Sequence, residues 1–225
     1  MKLKYQEREF DSQFFRRRIA DVDWSTDSKG SFSPELVTVK VQSSEVGKIE
    51  MLNTQGFQFC EGEISYYKSI ESQSLIDTPC NLLNASNLHE VMGLLDGMYT
   101  NSRFKKPWFD IHERDRFYQE WLKKALLGEY DDICLAYRVN GEIAGFVTLK
   151  FNQVGATIGL IGVLPRFQGK GIGRLLLESA EIATMQQGLY KISVSTQLSN
   201  LIAMNLYAKH GYQVSGTAYW FYRDL

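Results

Sequence analysis

Residues 158–179 read IGLIGVLPRFQGKGIGRLLLES, and this stretch decides the fold. Its first part is apolar and glycine-spaced, with Ile161, Gly162 and Val163 running into Pro165. It reads as a central strand with something packed closely against its backbone. Its last part carries Leu175, Leu176 and Ser179, followed by Ile182 and Ala183, at three- and four-residue spacing. That pattern predicts a helix over about 171–187, ended by Gly188. Between strand and helix lie Gln168, Gly169, Lys170, Gly171, Ile172 and Gly173. Glycines let the backbone turn tightly and present N–H groups without obstruction, and a helix N-terminus adds partial positive charge. The loop therefore has the physics of a cradle for an anion such as a pyrophosphate. Its spacing is neither GxGxxG nor GxxxxGK[ST]. A dinucleotide fold would also place such a loop after the first of several parallel strands. A plain left-handed glycine turn before a helix is the simpler alternative.

On the N-terminal side the pattern is a meander. Residues 132–139 (DICLAYRV) read as a strand and Asn140-Gly141 as a tight hairpin turn, since both positions tolerate positive φ. The chain returns through EIAGFVTLKF and turns again near 152–155 into the glycine-spaced strand. On the C-terminal side, 190–196 alternates as a strand. Residues 200–210 form a short helix capped by Ser199 or Asn200 and closed by Gly211, and TAYWFYR at 217–223 is an aromatic strand. Two further helices are expected upstream, over about 87–99 and 113–127, the second with Phe117, Trp121, Leu122 and Ala125 on its apolar face. The loop SRFKKPWFD between them is rich in charge and aromatics.

The first eighty residues contain an echo. VQSSEVGKIEMLNTQGFQFCEGEISYYKSI aligns with the end of the chain at an offset of 155, which sets Gly56-Phe57-Gln58 on Gly211-Tyr212-Gln213. We read residues 1–80 as a degenerate half-copy of the later unit and 81–225 as the complete domain. Leu52 falls where the offset places Tyr207, and Glu45 where it places Asn200.

The chain has 225 residues, 25 Lys+Arg against 26 Asp+Glu, and a formal charge of -1, so it has no bulk electrostatic reason to bind nucleic acid. No apolar run reaches the length of a bilayer span, and the N-terminus lacks the apolar stretch of a signal peptide. Cys60, Cys80 and Cys134 are scattered, with no CxxC or His/Cys cluster. That argues against a disulfide scaffold or a metal site and for the reducing cytoplasm.

The order of landmarks resembles the GCN5-related N-acetyltransferase superfamily over about 130–223. These are Ile161-Gly162-Val163-Leu164-Pro165, Gln168-x-x-Gly171-x-Gly173, a strand, Asn200-x-x-Ala203-x-x-x-Tyr207 and Gly211-Tyr212. The resemblance implies an α/β (α+β) fold, with a mixed, mostly antiparallel sheet whose central strands splay and whose faces carry helices. It implies acetyl-CoA as co-substrate and no metal. The pantetheine arm would pair with the backbone of Ile161, Gly162 and Val163. The pyrophosphate would take amides from Gly169, Lys170, Gly171, Ile172, Gly173 and Arg174, with Gln168 at the start of the loop. Asn200 would hydrogen-bond the pantetheine, or act simply as a helix cap. Tyr207 would protonate the departing thiolate.

SRFKKPW at 102–108, DRFYQEW at 115–121, TIGL at 157–160 and TAYWFYR at 217–223 are similar to the TDP-fucosamine acetyltransferases. These acetylate the 4-amino group of a dTDP-linked 4-amino-4,6-dideoxygalactose and carry a partial acetyltransferase fold at the N-terminus. On this likeness Arg103, Lys105 and Trp108 would supply cations and an aromatic face to a nucleotide-sugar, and Tyr219 a wall. Ribosomal-protein N-terminal acetyltransferases carry a glutamate five residues before the motif asparagine. Here that position is Ser195, so amine deprotonation through ordered water is expected. A different amine (a peptide N-terminus, a polyamine or another amino sugar) and a non-catalytic coenzyme-A-binding module are the alternative functions. A homodimer is compatible with the resemblance.

Overall fold

The computed structural model describes residues 3–25, 32–71 and 78–225. Residues 1–2, 26–31 and 72–77 of the expected N-terminal segment lie outside the described residues. The chain runs β1 (Lys4–Glu7), α1 (Glu9–Phe15), β2 (Ile19–Asp23), β3 (Leu36–Gln42), α2 (Val46–Thr54), β4 (Gln58–Ser69), β5 (Asn81–Leu83), α3 (Leu88–Val91), α4 (Ile111–Leu126), β6 (Ile133–Val139), β7 (Glu142–Phe151), β8 (Ala156–Val163), α5 (Ile172–Gln186), β9 (Lys191–Gln197), α6 (Leu201–Lys209) and β10 (Gln213–Asp224).

The echo in sequence is an echo in structure. Shifted by 155, the bounds of β3, α2 and β4 become those of β9, α6 and β10 at every terminus. Gly56 and Gly211 close the two helices at φ 79° and 78°. The amide of Phe57 donates to the Leu52 carbonyl at 3.0 Å, and that of Tyr212 to the Tyr207 carbonyl at 3.1 Å.

The chain groups into two units that do not follow its order. One holds 1–64, 197–199 and 216–225, the other 65–196 and 200–215. In the first, the strand order is β1-β2-β3-β10-β4, with β2 and β3 parallel and β3 and β10 antiparallel. Leu3, Val22, Val37, Val39, Val41, Leu52, Phe57 and Phe221 form its core. The last ten residues, which a division at residue 80 assigns to the second domain, group with the first unit because β10 pairs with β3.

In the second unit, the order is β4-β9-β8-β7-β6-β5. The strand that follows each repeat's helix is thus exchanged: β10 lies beside β3, and β4 beside β9. The meander forms as read. Asn140 and Gly141 take φ 51° and 84° between β6 and β7, and β5 to β8 are antiparallel. Helix α5 packs on β6, β7 and β8. The sheet is mixed because β8 and β9 are parallel, yet they pair only over 156–158 and 192–194.

Two local expectations are corrected. The helix expected over 87–99 shrinks to the single turn of α3, because Gly93 and Gly97 take φ 72° and 69° and break the run. The buried face of α5 is centred on Ile172, Leu176, Ala180 and Ala183, one position round from the expected stripe, so Leu175 and Ile182 are only half-buried.

Candidate active site

The site begins with a defect in the sheet. Val147 pairs with Ile161 and Leu149 with Ile158, so Gly159 and Leu160 of β8 oppose the single residue Thr148 of β7. A bulge bends its strand and increases the local twist. Pairing between β8 and β9 stops at this point. Beyond it the two strands diverge, and one side of the backbone of Ile161, Gly162 and Val163 loses its ladder partner.

Strand alternation says which groups face the gap. The amide of Leu164 donates to the Ala144 carbonyl of β7 at 2.9 Å. Leu164 and Gly162 therefore turn toward β7, and Ile161 and Val163 turn the other way. Their carbonyls are met by side chains. Tyr99 Oη donates to Ile161 O at 3.3 Å, and Gln168 Nε2 donates to Val163 O at 3.1 Å. The gap is thus left with two backbone donors, the amides of Ile161 and Val163.

These residues open on a cleft of about 960 Å³. Its wall includes Ile161, Gly162, Val163, Gln168, Gly169, Gly171, Ile172, Gly173, Arg174, Asn200 and Tyr207. Every candidate coenzyme residue except Lys170 is therefore brought to one place. Lys170 is not in this wall; its ammonium lies 5.4 Å from the Phe167 ring centroid. Gly171 caps α5 at φ 79°, a conformation that side chains strain. The amides of Ile172 and Gly173 lie in the first helical turn, where no intrahelical acceptor exists. The cleft thus offers donors along one edge and a positive helix end beside them, which suits carbonyl and phosphate oxygens.

Tyr207 stands on α6, 2% exposed, beside Tyr66 and Tyr212 at ring distances of 5.5 and 5.8 Å. Burial first, and the neighbouring Tyr66 second, push its phenol above the usual range, so it holds its proton at any physiological pH. Asn200 caps α6 with one bond from each end of its amide, which leaves one donor and one lone pair over. Its Oδ1 accepts from the Ala203 amide at 3.2 Å and its Nδ2 donates to Thr196 Oγ1 at 3.2 Å. It lines the cleft as the cap that seats α6. Ser195 is exposed and shares a 2.8 Å hydrogen bond with Ser65. Among the described residues the wall holds no Asp or Glu, and His210 and Lys209 at the end of α6 are part of it.

The candidate acceptor residues are not in this wall. Trp108 is buried at 8% exposed, so its ring offers no open face. Arg103 is half-buried and its guanidinium stacks 4.1 Å from the Phe104 centroid. Lys105 is half-buried. Tyr219 belongs to the other unit, where it packs edge-on to Phe59 at 5.9 Å. Residues 97–101, by contrast, line the cleft and were not anticipated. Tyr99 stacks on Tyr118 at 4.3 Å. A Cβ at Gly162 would fall 2.6 Å from Met98 Sδ, so glycine is what lets this segment lie against β8. The one sequence signal was the glycine spacing of β8, which foretold a close neighbour without saying which.

A strand splayed from its parallel neighbour, followed by a glycine loop on a helix N-terminus, offers backbone donors to an extended ligand that carries carbonyls and phosphates. Comparison with known proteins agrees. The family model described as "Acetyltransferase (GNAT) family" matches residues 90–212. The chain belongs to this family and is an N-acetyltransferase, and the family uses acetyl-CoA. It is 31% identical over 188 residues to the dTDP-fucosamine acetyltransferase of Escherichia coli O6:H1, covering 83% of this chain and 81% of that one. Among solved structures, it resembles a GCN5-related N-acetyltransferase from Sphaerobacter thermophilus, with TM-score 0.60 and 14% identity over 84% of this chain and 59% of the other. It also resembles the PaiA N-acetyltransferase of Thermoplasma acidophilum solved with coenzyme A, with TM-score 0.52 and 17% identity over 65% of this chain and 98% of that one. Among the described residues no helix is long and apolar enough to cross a membrane.

Proposed function

We propose that this chain transfers the acetyl group of acetyl-CoA to the 4-amino group of a dTDP-linked 4-amino-4,6-dideoxygalactose. The observation that carries the coenzyme half is the pair of amides, Ile161 and Val163, left facing the cleft after their carbonyls are met by Tyr99 and Gln168. A pantetheine carbonyl accepts from one, and the thioester carbonyl is polarised by the amide of Val163. The neutral amine attacks the thioester carbon, forming the C–N bond as the C–S bond breaks. Tyr207 gives its proton to the leaving sulfur. The proton lost by the amine passes to water and restores the phenol.

The acceptor half is supported by the 31% identity to a dTDP-fucosamine acetyltransferase and by the absence of a base at Ser195. The loop 102–108 carries Arg103 and Lys105, cations suited to a diphosphate linker, although neither is in the wall of the coenzyme cleft. Release of free coenzyme A thiol, measured across a panel, tests the reading. The dTDP-amino sugar should be used with kcat/KM at least a hundredfold above an N-terminal peptide or spermidine. Equal rates on peptide or polyamine would remove the sugar and leave the acetyltransferase. Replacing Arg103 and Lys105 with Ala should raise KM for the sugar nucleotide more than for acetyl-CoA.

A further inference from the structure

From the bulge in β8 and the groups packed behind it, we infer that Thr148 and Asp131 are positioning residues that hold the splayed strand in its coenzyme-receiving shape. The inference rests on the reading that acetyl-CoA pairs with the backbone of Ile161 and Val163.

A bulge strands an amide. Leu160, the second of the two residues opposite Thr148, would lose its ladder acceptor inside the protein, where it is 3% exposed. A buried, unpaired amide is costly, so the bulge persists only if something accepts from it. Thr148 Oγ1 does so, at 2.8 Å. The hydroxyl can accept there because its own proton is committed elsewhere, to Asp131 Oδ2 at 2.6 Å. The same carboxylate oxygen accepts from Trp121 Nε1 at 3.0 Å, which ties α4 to the arrangement. Thr148 and Asp131 are 0% and 3% exposed, so water does not compete for these groups. The carboxylate sits tightly under the strand: a Cβ at Gly159 would lie 2.4 Å from Asp131 Oδ2. Amide, hydroxyl, carboxylate and indole form one relay whose first member is the bulge and whose last is a helix.

The relay acts at the point where β8 leaves β9 and one residue before Ile161, whose amide faces the cleft. Without an acceptor for Leu160 N, the strand regains a partner only by flattening toward a regular ladder. A one-residue change of register swaps which amides face the gap. None of these side chains touches the coenzyme in this picture; they act through the backbone.

Thr148→Val keeps the shape and removes the hydroxyl, and Thr148→Ser restores it. Two quantities decide the matter: amide hydrogen exchange at Leu160 in the coenzyme-free protein, and acetyl-CoA affinity by calorimetry. Thr148→Val should exchange Leu160 at least tenfold faster and bind acetyl-CoA at least tenfold more weakly. Thr148→Ser should lie within about threefold of the unaltered chain in both. At saturating acetyl-CoA, kcat should be nearly kept while KM for acetyl-CoA rises. Unchanged Leu160 exchange in Thr148→Val overturns the inference, and so does faster exchange with unchanged affinity. Failure of the unaltered chain to bind acetyl-CoA would instead overturn the coenzyme reading and carry this inference with it. If Thr148→Val does not fold, Trp121→Phe at a half-buried position makes the same test at smaller amplitude. Exchange and affinity moving together by twofold or more sustain the inference, and unchanged affinity overturns it.

Discussion

Leu52 occupies in the first repeat the position that Tyr207 occupies in the second, 155 residues on. Both are buried, at 0% and 2% exposed. Each carbonyl accepts from the amide five residues later, at 3.0 and 3.1 Å. The shared backbone therefore asks only for a large side chain that can be buried, and a leucine satisfies it. A phenol at this position is not needed to fold the unit. The surroundings separate the two: Leu52 lies in a closed core with Val39 and Phe57, whereas Tyr207 lines a cleft behind a glycine loop.

This pair makes opposite mutational demands. Tyr207→Phe removes one oxygen, so the fold should persist while kcat falls by about 10²–10⁴. Acetyl-CoA affinity should stay within about threefold. Leu52→Ala should lower stability by about 2–5 kcal/mol in a denaturant titration, with kcat per folded molecule retained. A Tyr207→Phe enzyme with full kcat and rate-limiting chemistry would take Tyr207 out of the mechanism. Because burial raises the Tyr207 phenol, its loss of a proton should put no alkaline limb on the kcat profile below about pH 10.

Gly171 holds φ 79° at the cap of α5 with open space around its Cα. A Cβ at Gly171 meets nothing within 4 Å, so Gly171→Val acts by straining the turn that aims the first amides of the helix. Acetyl-CoA should bind at least tenfold more weakly by calorimetry, about 1.4 kcal/mol or more. An unchanged affinity in the folded variant would show that the loop does not hold the pyrophosphate.

At the offset of 155, QGKGIG falls on QFFRRR at 13–18, so the N-terminal repeat has no counterpart of the glycine loop, and its cap position is Glu45, whose side chain makes no capping hydrogen bond. One acetyl-CoA per chain is expected at saturation. A stoichiometry of two would contradict the reading of this repeat as scaffold.

Acid should loosen the start of α3. The Arg138 guanidinium, followed by the Asn87 side chain, holds the Glu90 carboxyl down to about 2. A carboxyl lowered in the folded state contributes stability above its unfolded value, about 4.3, and loses it as pH falls through the folded one. Tm should therefore drop between pH 5 and pH 2, and Glu90→Gln should flatten that slope. Equal slopes in the two proteins would remove Glu90 from the acid transition.

Much of this architecture is local and so lies open in the sequence. The Asn140-Gly141 turn, the alternating strands beside it and the cap at Asn200 follow from backbone preferences a few residues long. The offset of 155 was legible because Gly56-Phe57-Gln58 and Gly211-Tyr212-Gln213 each close a helix with the same left-handed glycine. The glycine loop was legible because it lies between one strand and one helix, whereas Tyr207 was singled out through the resemblance to the acetyltransferase superfamily. Tertiary structure decided what depends on partners far along the chain. It placed β10 beside β3 and β4 beside β9, since a strand's pairing edge carries no signature of which repeat will take it. It buried Trp108, which a polar neighbourhood in sequence had suggested was open. It brought Tyr99 onto the Ile161 carbonyl, 62 residues away. It set Asp131 and Thr148 behind the bulge, where a buried amide needs an acceptor that only the packed fold supplies.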